Sequence, residues 1–185
     1  MRIISGRLKG KKITFLKSSI TRPLKDFVKE NIFNIISHSK LLRVNLENAL
    51  ILDLYSGIGS FGIECLSRGA GKVIFVENEK NASMTLKKNI ANFSLQEKSI
   101  IIFDKISNFL DKEKHEKFDI IFLDPPFAEE NYLEELKIIK RKKFFNKNYI
   151  IIIHRENNKK EDYKGIIKPI LIKKYRRSKI IFARF

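Results

Sequence analysis

Cysteine, histidine and long apolar runs are what this 185-residue chain has least of. Its one cysteine, Cys65, excludes an intrachain disulfide and any multi-cysteine metal site. The histidines, His38, His115 and His154, lie far apart, so no metal is expected. No stretch reaches the roughly 18–20 uninterrupted apolar residues that a membrane helix needs. The opening, MRIISGRLKGKK, lacks the apolar core and small-residue cleavage site of a signal peptide. A cytoplasmic protein without a membrane partner is expected. Pro/Gly/Ser-rich linkers and internal repeats are also missing. Acids are scarce: 21 Asp and Glu stand against 38 Lys and Arg, a net charge of +17. So basic a surface draws polyanions, because each cation set against a phosphate releases condensed counterions. Lys, Ile, Asn and Phe are abundant, as an A+T-rich genome favours, and some of the charge follows from that bias. Codon bias alone does not hold the acids down, so a nucleic-acid partner is expected.

What is present is a repeating pattern. Residues 1–16 carry Gly6 and Gly10 between short apolar runs and predict a basic hairpin. In TRPLKDFVKENIFNIISHSK, Leu24, Phe27, Val28, Ile32, Ile35 and Ile36 recur at helical spacing. Thr21 suits an N-cap there, with Pro23 in the first turn. From residue 49, apolar strands alternate with helices. ALILDLY, KVIFVE, SIIIFD, FDIIFLD and NYIIIIH read as strands, with helices between them. That alternation implies a parallel sheet covered on both faces. IIKPILIKKY and SKIIFARF follow, joined too tightly for a helical crossover, so they pair antiparallel.

Acids close the first four strands: Asp53, Glu77, Asp104 and Asp124. In such sheets ligands bind outside the carboxyl ends of the strands. After Asp53 comes SGIGSFG, where Gly57 and Gly59 allow a sharp turn and close approach to bare backbone, and Gly62 follows. A dinucleotide site would place pyrophosphate there. A carboxylate beside the turn repels phosphate and suits a cation. S-adenosylmethionine carries an ammonium and a sulfonium and no phosphate. Glu77, a helix and a strand later, stands where an acid bonds the ribose hydroxyls of an adenosine. The expected cofactor set is Asp53, Tyr55, Ser56, Gly57, Gly59, Glu77, Asn78 and Asp104.

The fourth strand ends in DPPF, Asp124 to Phe127. The prolines remove two backbone donors, which would leave local carbonyls aimed outward. Asp124 adds an acceptor, and two acceptors facing one point suit an NH2 group. Phe127 offers a face on which a planar base can stack. An exocyclic amine is a poor nucleophile because its lone pair is conjugated into the ring. Hydrogen bonds to both its protons bias the nitrogen toward tetrahedral geometry and expose that lone pair. Asp124, Pro125, Pro126 and Phe127 are therefore the expected catalytic group. Cys65 and His38 read as structural, and so does His154, although it closes the fifth strand.

Five parallel-type strands followed by a terminal hairpin resemble the class I methyltransferases. In that family an acid in the place of Asp104 often bonds the adenine amino group. Nearly the whole chain resembles, more closely, the bacterial 16S ribosomal RNA guanine-N2 methyltransferases of the RsmD type. MRIISGRLKGKKI, TRPLKDFVKENIFNII, LDLYSGIGSFGIECLSRGA and FDIIFLDPPF carry the resemblance. It implies a Rossmann-like seven-stranded α/β methyltransferase domain over residues 41–185. A basic hairpin and helix over residues 1–40 would contact RNA. It also implies methyl transfer from S-adenosylmethionine, leaving S-adenosylhomocysteine, to N2 of a guanine. The substrate would be 16S ribosomal RNA in the 30S subunit or a late assembly particle, and the enzyme a monomer. Arg7, Lys9, Lys11, Lys12, Arg22 and Lys25 would form the RNA-gripping set if the extension lies over the cleft. The chain departs from the family pattern at Leu24, Phe27 and Lys29, and KYRRSKIIF lacks the glycine that usually follows Tyr175.

Two other functions fit some of these residues. Asp-Pro-Pro with an aromatic also serves DNA adenine-N6 methylation. Sequence-specific DNA enzymes generally carry an added recognition region, for which this chain leaves little room. A non-catalytic RNA-binding assembly factor on the same fold is opposed by the intact Asp53, Gly57, Gly59, Glu77 and Asp124–Phe127.

Overall fold

Near-continuous burial along the central strands marks a sheet with two covered faces. The computed structural model describes residues 1–15, 24–112, 116–159 and 161–185. Thr21, Arg22, Pro23 and His115 lie outside the described residues. The strands are β1 (Leu50–Leu54), β2 (Lys72–Glu77), β3 (Ser99–Phe103), β4 (Phe118–Leu123), β5 (Phe145–Glu156), β6 (Lys168–Lys174) and β7 (Ser178–Arg184). The helices are α1 (Asp26–His38), α2 (Ser60–Ser67), α3 (Lys80–Asn92), α4 (Ile106–Asp111) and α5 (Tyr132–Lys142). The sheet order is β3-β2-β1-β4-β5-β7-β6. The first five strands are parallel, and β7 runs antiparallel to both β5 and β6. This is the expected seven-stranded α/β arrangement with its terminal hairpin.

Successive side chains of a strand point to opposite faces. Ile120 and Phe122 of β4 join one buried cluster with Ile32 and Phe33 of α1, Phe61 of α2 and Leu86 of α3. Ile121 and Leu123 join the other with Phe109 of α4 and Leu136 of α5. The rings of Phe33, Phe61 and Phe122 stack in sequence, with centroids 5.3 and 3.9 Å apart, and tie α1 through α2 to the sheet. The last strand, β7, is buried between β5 and β6, while β6 is a charged outer strand carrying Pro169, as edges tolerate. No helix among the described residues is long and apolar enough to cross a membrane.

The expected N-terminal hairpin is present in short form, with one bridge between Arg2 and Lys12. It lies along α2 and shares the α1 side of the core through Ile3, Leu8 and Ile13. Buried Glu64 is the joint: its carboxylate accepts from Ile4 N (2.8 Å), Ser5 N (3.0 Å) and Arg68 Nε (2.8 Å), and Lys29 Nζ stands 3.6 Å away. Gly6 has φ +80°, and a Cβ there would meet the Ser67 carbonyl oxygen at 1.9 Å, so only glycine lets the hairpin close on α2. Helix α1 begins at Asp26 after Lys25, whose side chain makes no cap.

Candidate active site

Parallel strands deliver their carboxyl ends to one edge, and the chain's acids are placed there. The register sets Leu54 beside both Val76 and Leu123, so the segments after β1, β2 and β4 are neighbours. Asp53 is buried, and its Oδ2 accepts from Gly62 N at 3.0 Å. It thus holds the start of α2 from behind the turn. Its Oδ1 is buried without a partner. Burial, with Asp124 and Glu77 nearby, pushes this carboxyl well above the usual range.

The glycines of the turn have separate causes. Gly57 (φ +54°) would direct a Cβ into open space, so its backbone is bare toward the cleft. Gly59 (φ +84°) packs against Leu86 of α3, and Gly62 against Phe75 of β2. Ser56 ties the turn to β2 through its N and Oγ, which donate to Val76 O at 3.1 and 3.3 Å. Glu77 Oε2 accepts from Gly57 N at 2.6 Å, and Oε1 from Glu79 N at 2.7 Å. Burial raises its pKa, against the lowering effect of those amides. Each of its oxygens keeps a second lone pair for a hydroxyl. Asn78 is exposed beside it. Asp104 is half-buried and takes Lys105 N and Asn108 Nδ2, each at 2.7 Å, at the start of α4.

These residues fit S-adenosylmethionine. The orphan oxygen of Asp53, the bare backbone at Gly57 and the Glu77 carboxylate form an acidic cradle suited to a cation and a ribose. Tyr55 belongs to the same segment but turns elsewhere. With φ +57° it directs its hydroxyl to Glu135 of α5, 2.9 Å from both carboxylate oxygens. Among the described residues no cluster of His, Cys, Asp or Glu is arranged to hold a metal.

Beside this cradle, Asp124 Oδ1 pairs with His154 Nδ1 at 2.8 Å. Asp124 Oδ2 has no partner among the described residues and remains open to a donor. Phe127 is half-buried and meets the His154 ring edge-on, with centroids 5.8 Å apart. His154, expected from sequence as a structural strand end, therefore stands against both Asp124 and Phe127 of the candidate site. The signal was available: Leu123 pairs with Ile153, so the residues that follow them, Asp124 and His154, must meet.

The expected outward carbonyls of the proline turn need correction. Fully buried Arg155 lies beneath the turn and donates to the carbonyls of Pro126, Phe127 and Glu129, each at 3.1 Å, and to Pro125 at 3.4 Å. Most loop carbonyls are drawn inward by this guanidinium, and Pro125 is the least engaged. The arginine is held in turn by Glu161 through Nε and lies over the Tyr132 ring, 4.4 Å from its centroid.

Of the expected RNA-binding cations, Arg7 and Lys9 lie away from this edge. Helix α2 starts at the cofactor turn and runs away from it toward the start of β2. Arg7 N donates to Ser67 O at the far end of α2, so the hairpin tip bearing Arg7 and Lys9 points away from Asp124. Lys11 and Lys12 are exposed on the returning limb, Lys25 precedes α1, and Arg22 lies outside the described residues. A cavity of about 440 Å³ lined by Arg43, Asn48, Asp119 and Asn148 also sits at the strand-start edge, away from Asp53, Glu77 and Asp124.

Glu135 gives the site a pH signature. Burial raises its pKa from 4.5 to about 7; the Tyr55 hydroxyl opposes the shift and Glu129 adds to it. A carboxyl whose folded pKa lies above its unfolded value makes the folded state bind more protons. Stability is then favoured below the unfolded pKa and declines as pH rises from about 4.5 through about 7. Glu135→Gln keeps an acceptor for Tyr55 and removes the titration. Wild type should lose roughly 2–3 kcal/mol more than this variant between pH 4.5 and 8. Thermal unfolding of both proteins across that range checks it; parallel pH profiles would refute it.

Known proteins resemble this chain over nearly its full length. A family model described as conserved hypothetical protein 95 matches residues 1–183. The ribosomal RNA small subunit methyltransferase D of Buchnera aphidicola subsp. Acyrthosiphon pisum is 34% identical over 154 residues, which cover 83% of this chain and 77% of the relative. Among solved structures, one described as a methyltransferase, yhhF of Escherichia coli, is 24% identical with a TM-score of 0.84, covering 100% of this chain and 97% of its own. SMU.776, described as a methyltransferase complexed with S-adenosylhomocysteine, shares the fold at 13% identity and a TM-score of 0.67, covering 85% of this chain and 49% of its own.

Proposed function

The chain belongs to the family that includes the ribosomal RNA small subunit methyltransferases D, and from that premise we propose that it methylates the exocyclic N2 amine of a guanine in 16S ribosomal RNA, with S-adenosylmethionine as donor. We propose further that it acts as a monomer on the 30S subunit or a late assembly particle. The observation that carries the catalytic part is Asp124. One carboxylate oxygen is fixed by His154, the other is open, and a half-buried Phe127 ring stands beside it at the edge that bears the cofactor cradle.

The cradle would hold the cofactor through the Asp53 orphan oxygen, the Gly57 backbone and Glu77. Bound there, S-adenosylmethionine supplies an electrophilic methyl group on a sulfonium. The remaining work is positioning. Phe127 offers a face to the guanine ring. Asp124 Oδ2 accepts one proton of the amine, and Pro125 O, whose contact with Arg155 is the longest of the four at 3.4 Å, would accept the other through its second lone pair. Both bonds favour a tetrahedral nitrogen with an exposed lone pair. Arg155 keeps the loop from relaxing around them. Asp124 acts here as an acceptor of a hydrogen bond, and the proton leaves to solvent after transfer.

The test is transfer of labelled methyl to 30S subunits lacking the modification, with naked 16S RNA and duplex DNA in parallel. Label on guanine N2 in the 30S sample is the expected result. Label in DNA would replace this function with adenine methylation, and label on naked RNA alone would remove the particle as substrate.

A further inference from the structure

We propose that the turn between β6 and β7, with the aromatic pair behind it, grips the RNA strand that flanks the target nucleotide; this rests on the RNA-methyltransferase function above. The register brings the turn to the catalytic edge. Ser178 of β7 pairs with Glu156, at the end of β5, and Lys174 of β6 pairs with Lys179. Tyr175, Arg176 and Arg177 therefore leave the sheet at the end where Asp124 and His154 stand. A cavity of about 250 Å³ joins the two, lined by Phe127, Glu156, Asn158, Arg176 and Arg177. The ring assigned to the target base and the guanidiniums of the turn share one wall.

Both arginines of the turn are uncommitted, unlike the arginines packed against the core. Arg68 is committed to Glu64, Arg155 to Glu161, and Arg184 to the Tyr149 carbonyl. Arg176 and Arg177 are exposed, and neither side chain has a partner among the described residues. Lys173 and Lys174 are exposed just before them. Glu156 is a single carboxylate against these cations, and it can accept from a base edge.

The second observation is aromatic. Phe27, in the first turn of α1, is 65% exposed, an unusual position for a large apolar ring. It meets Tyr175 edge-to-face, with centroids 5.8 Å apart and planes at 87°. Phe27, Tyr175, the arginines and Phe127 thus form a strip of rings interleaved with unpaired cations. Single-stranded nucleic acid is held in this way, phosphates on the cations and bases on the rings. The hairpin tip bonds the far end of α2, at the opposite edge.

The experiment compares wild type, Arg176→Ala/Arg177→Ala, Phe27→Ala and a charge-matched control, Lys87→Ala/Lys88→Ala, on exposed positions of α3. Affinity for 16S RNA and for 30S subunits is measured across a salt series, with calorimetric binding of S-adenosylhomocysteine alongside. The arginine variant should bind RNA about tenfold or more weakly, with a salt slope shallower by about 1.4 for two lost phosphates. Its KM for RNA should rise far more than its kcat falls, and its affinity for S-adenosylhomocysteine should be unchanged. Phe27→Ala should weaken RNA binding with no change of slope. Equal losses in the control variant would show a general charge effect and overturn the proposal, as would an unchanged salt slope in the arginine variant. A loss seen on particles and absent on naked RNA would assign the turn to a ribosomal protein and overturn it also. Should wild type neither bind nor methylate RNA, the underlying function fails and this inference with it.

Discussion

Replacing Asp124 by alanine is expected to lower methyl transfer by about 10²–10³-fold while leaving the affinity for S-adenosylhomocysteine within a few-fold of wild type, since the site loses one preorganised acceptor and no part of the cofactor cradle. Asp124 Oδ1 is occupied by His154 and Oδ2 is free, so the carboxylate meets the substrate through one oxygen. Asp124→Asn separates two roles. An amide still offers one oxygen, and its NH2 can donate to a neutral His154 ring. If Asp124 only accepts a hydrogen bond, the asparagine variant keeps most of the rate. If Asp124 takes the proton, the asparagine variant falls as far as the alanine one. Single-turnover rates at saturating RNA, with calorimetry on each variant, decide this. A wild-type rate in Asp124→Ala would remove the carboxylate from the reaction.

His154 should act through Asp124, since its ring touches the carboxylate and Phe127. It was visible in the sequence only as a polar end to an apolar strand. The acids at the ends of β1 to β4 were legible because each follows an uninterrupted apolar run, and a parallel sheet must bring such ends to one edge. Extending that logic to β5 gives His154 as the neighbour of Asp124 once β5 is set beside β4 with Leu123 opposite Ile153. The direction of the Tyr55 side chain was not legible for a different reason. Its place in the turn suggested the cradle, but φ +57° swings the side chain to α5, and sequence does not report that dihedral at a non-glycine residue. The hairpin was legible from Gly6 and Gly10, whereas its direction along α2 depends on Glu64 and Ser67, about sixty residues away. The charge of +17 predicted a polyanion but not where it would lie, because a run such as KKYRRSK reads alike on any exposed edge.

Arg155 was not legible at all, because one arginine after His154 and a run of four isoleucines gives no hint that the chain will fold a loop over it. Its removal is expected to have the second large effect. Arg155→Met keeps most of the volume and leaves the carbonyls of Pro125, Pro126 and Glu129 without their donor, while Phe127 O retains Lys159. Glu161 is not orphaned, because Lys179 Nζ stays 3.2 Å away and Tyr163 donates to it at 2.6 Å. The cost is therefore that of breaking a buried charged network with part of it still paired, roughly 3 kcal/mol. For a chain of this size that lowers the melting temperature by roughly 6–12 °C. The rate should fall further than stability alone explains. At a temperature where the variant remains folded, the loop carbonyls and Phe127 are no longer fixed relative to Asp124, and a displacement of about 1 Å at a reacting group can cost about a hundredfold. Arg155→Lys restores a cation for Glu161 but not the planar fork that spans several carbonyls, so it should recover more stability than rate. Melting curves and kcat measured on the same preparations, with cofactor affinity as the control, test the two effects apart. A folded Arg155→Met protein with the wild-type kcat would mean that the prolines alone hold the loop. Recovery of stability and rate in equal proportion by lysine would mean that the arginine matters only as a buried charge.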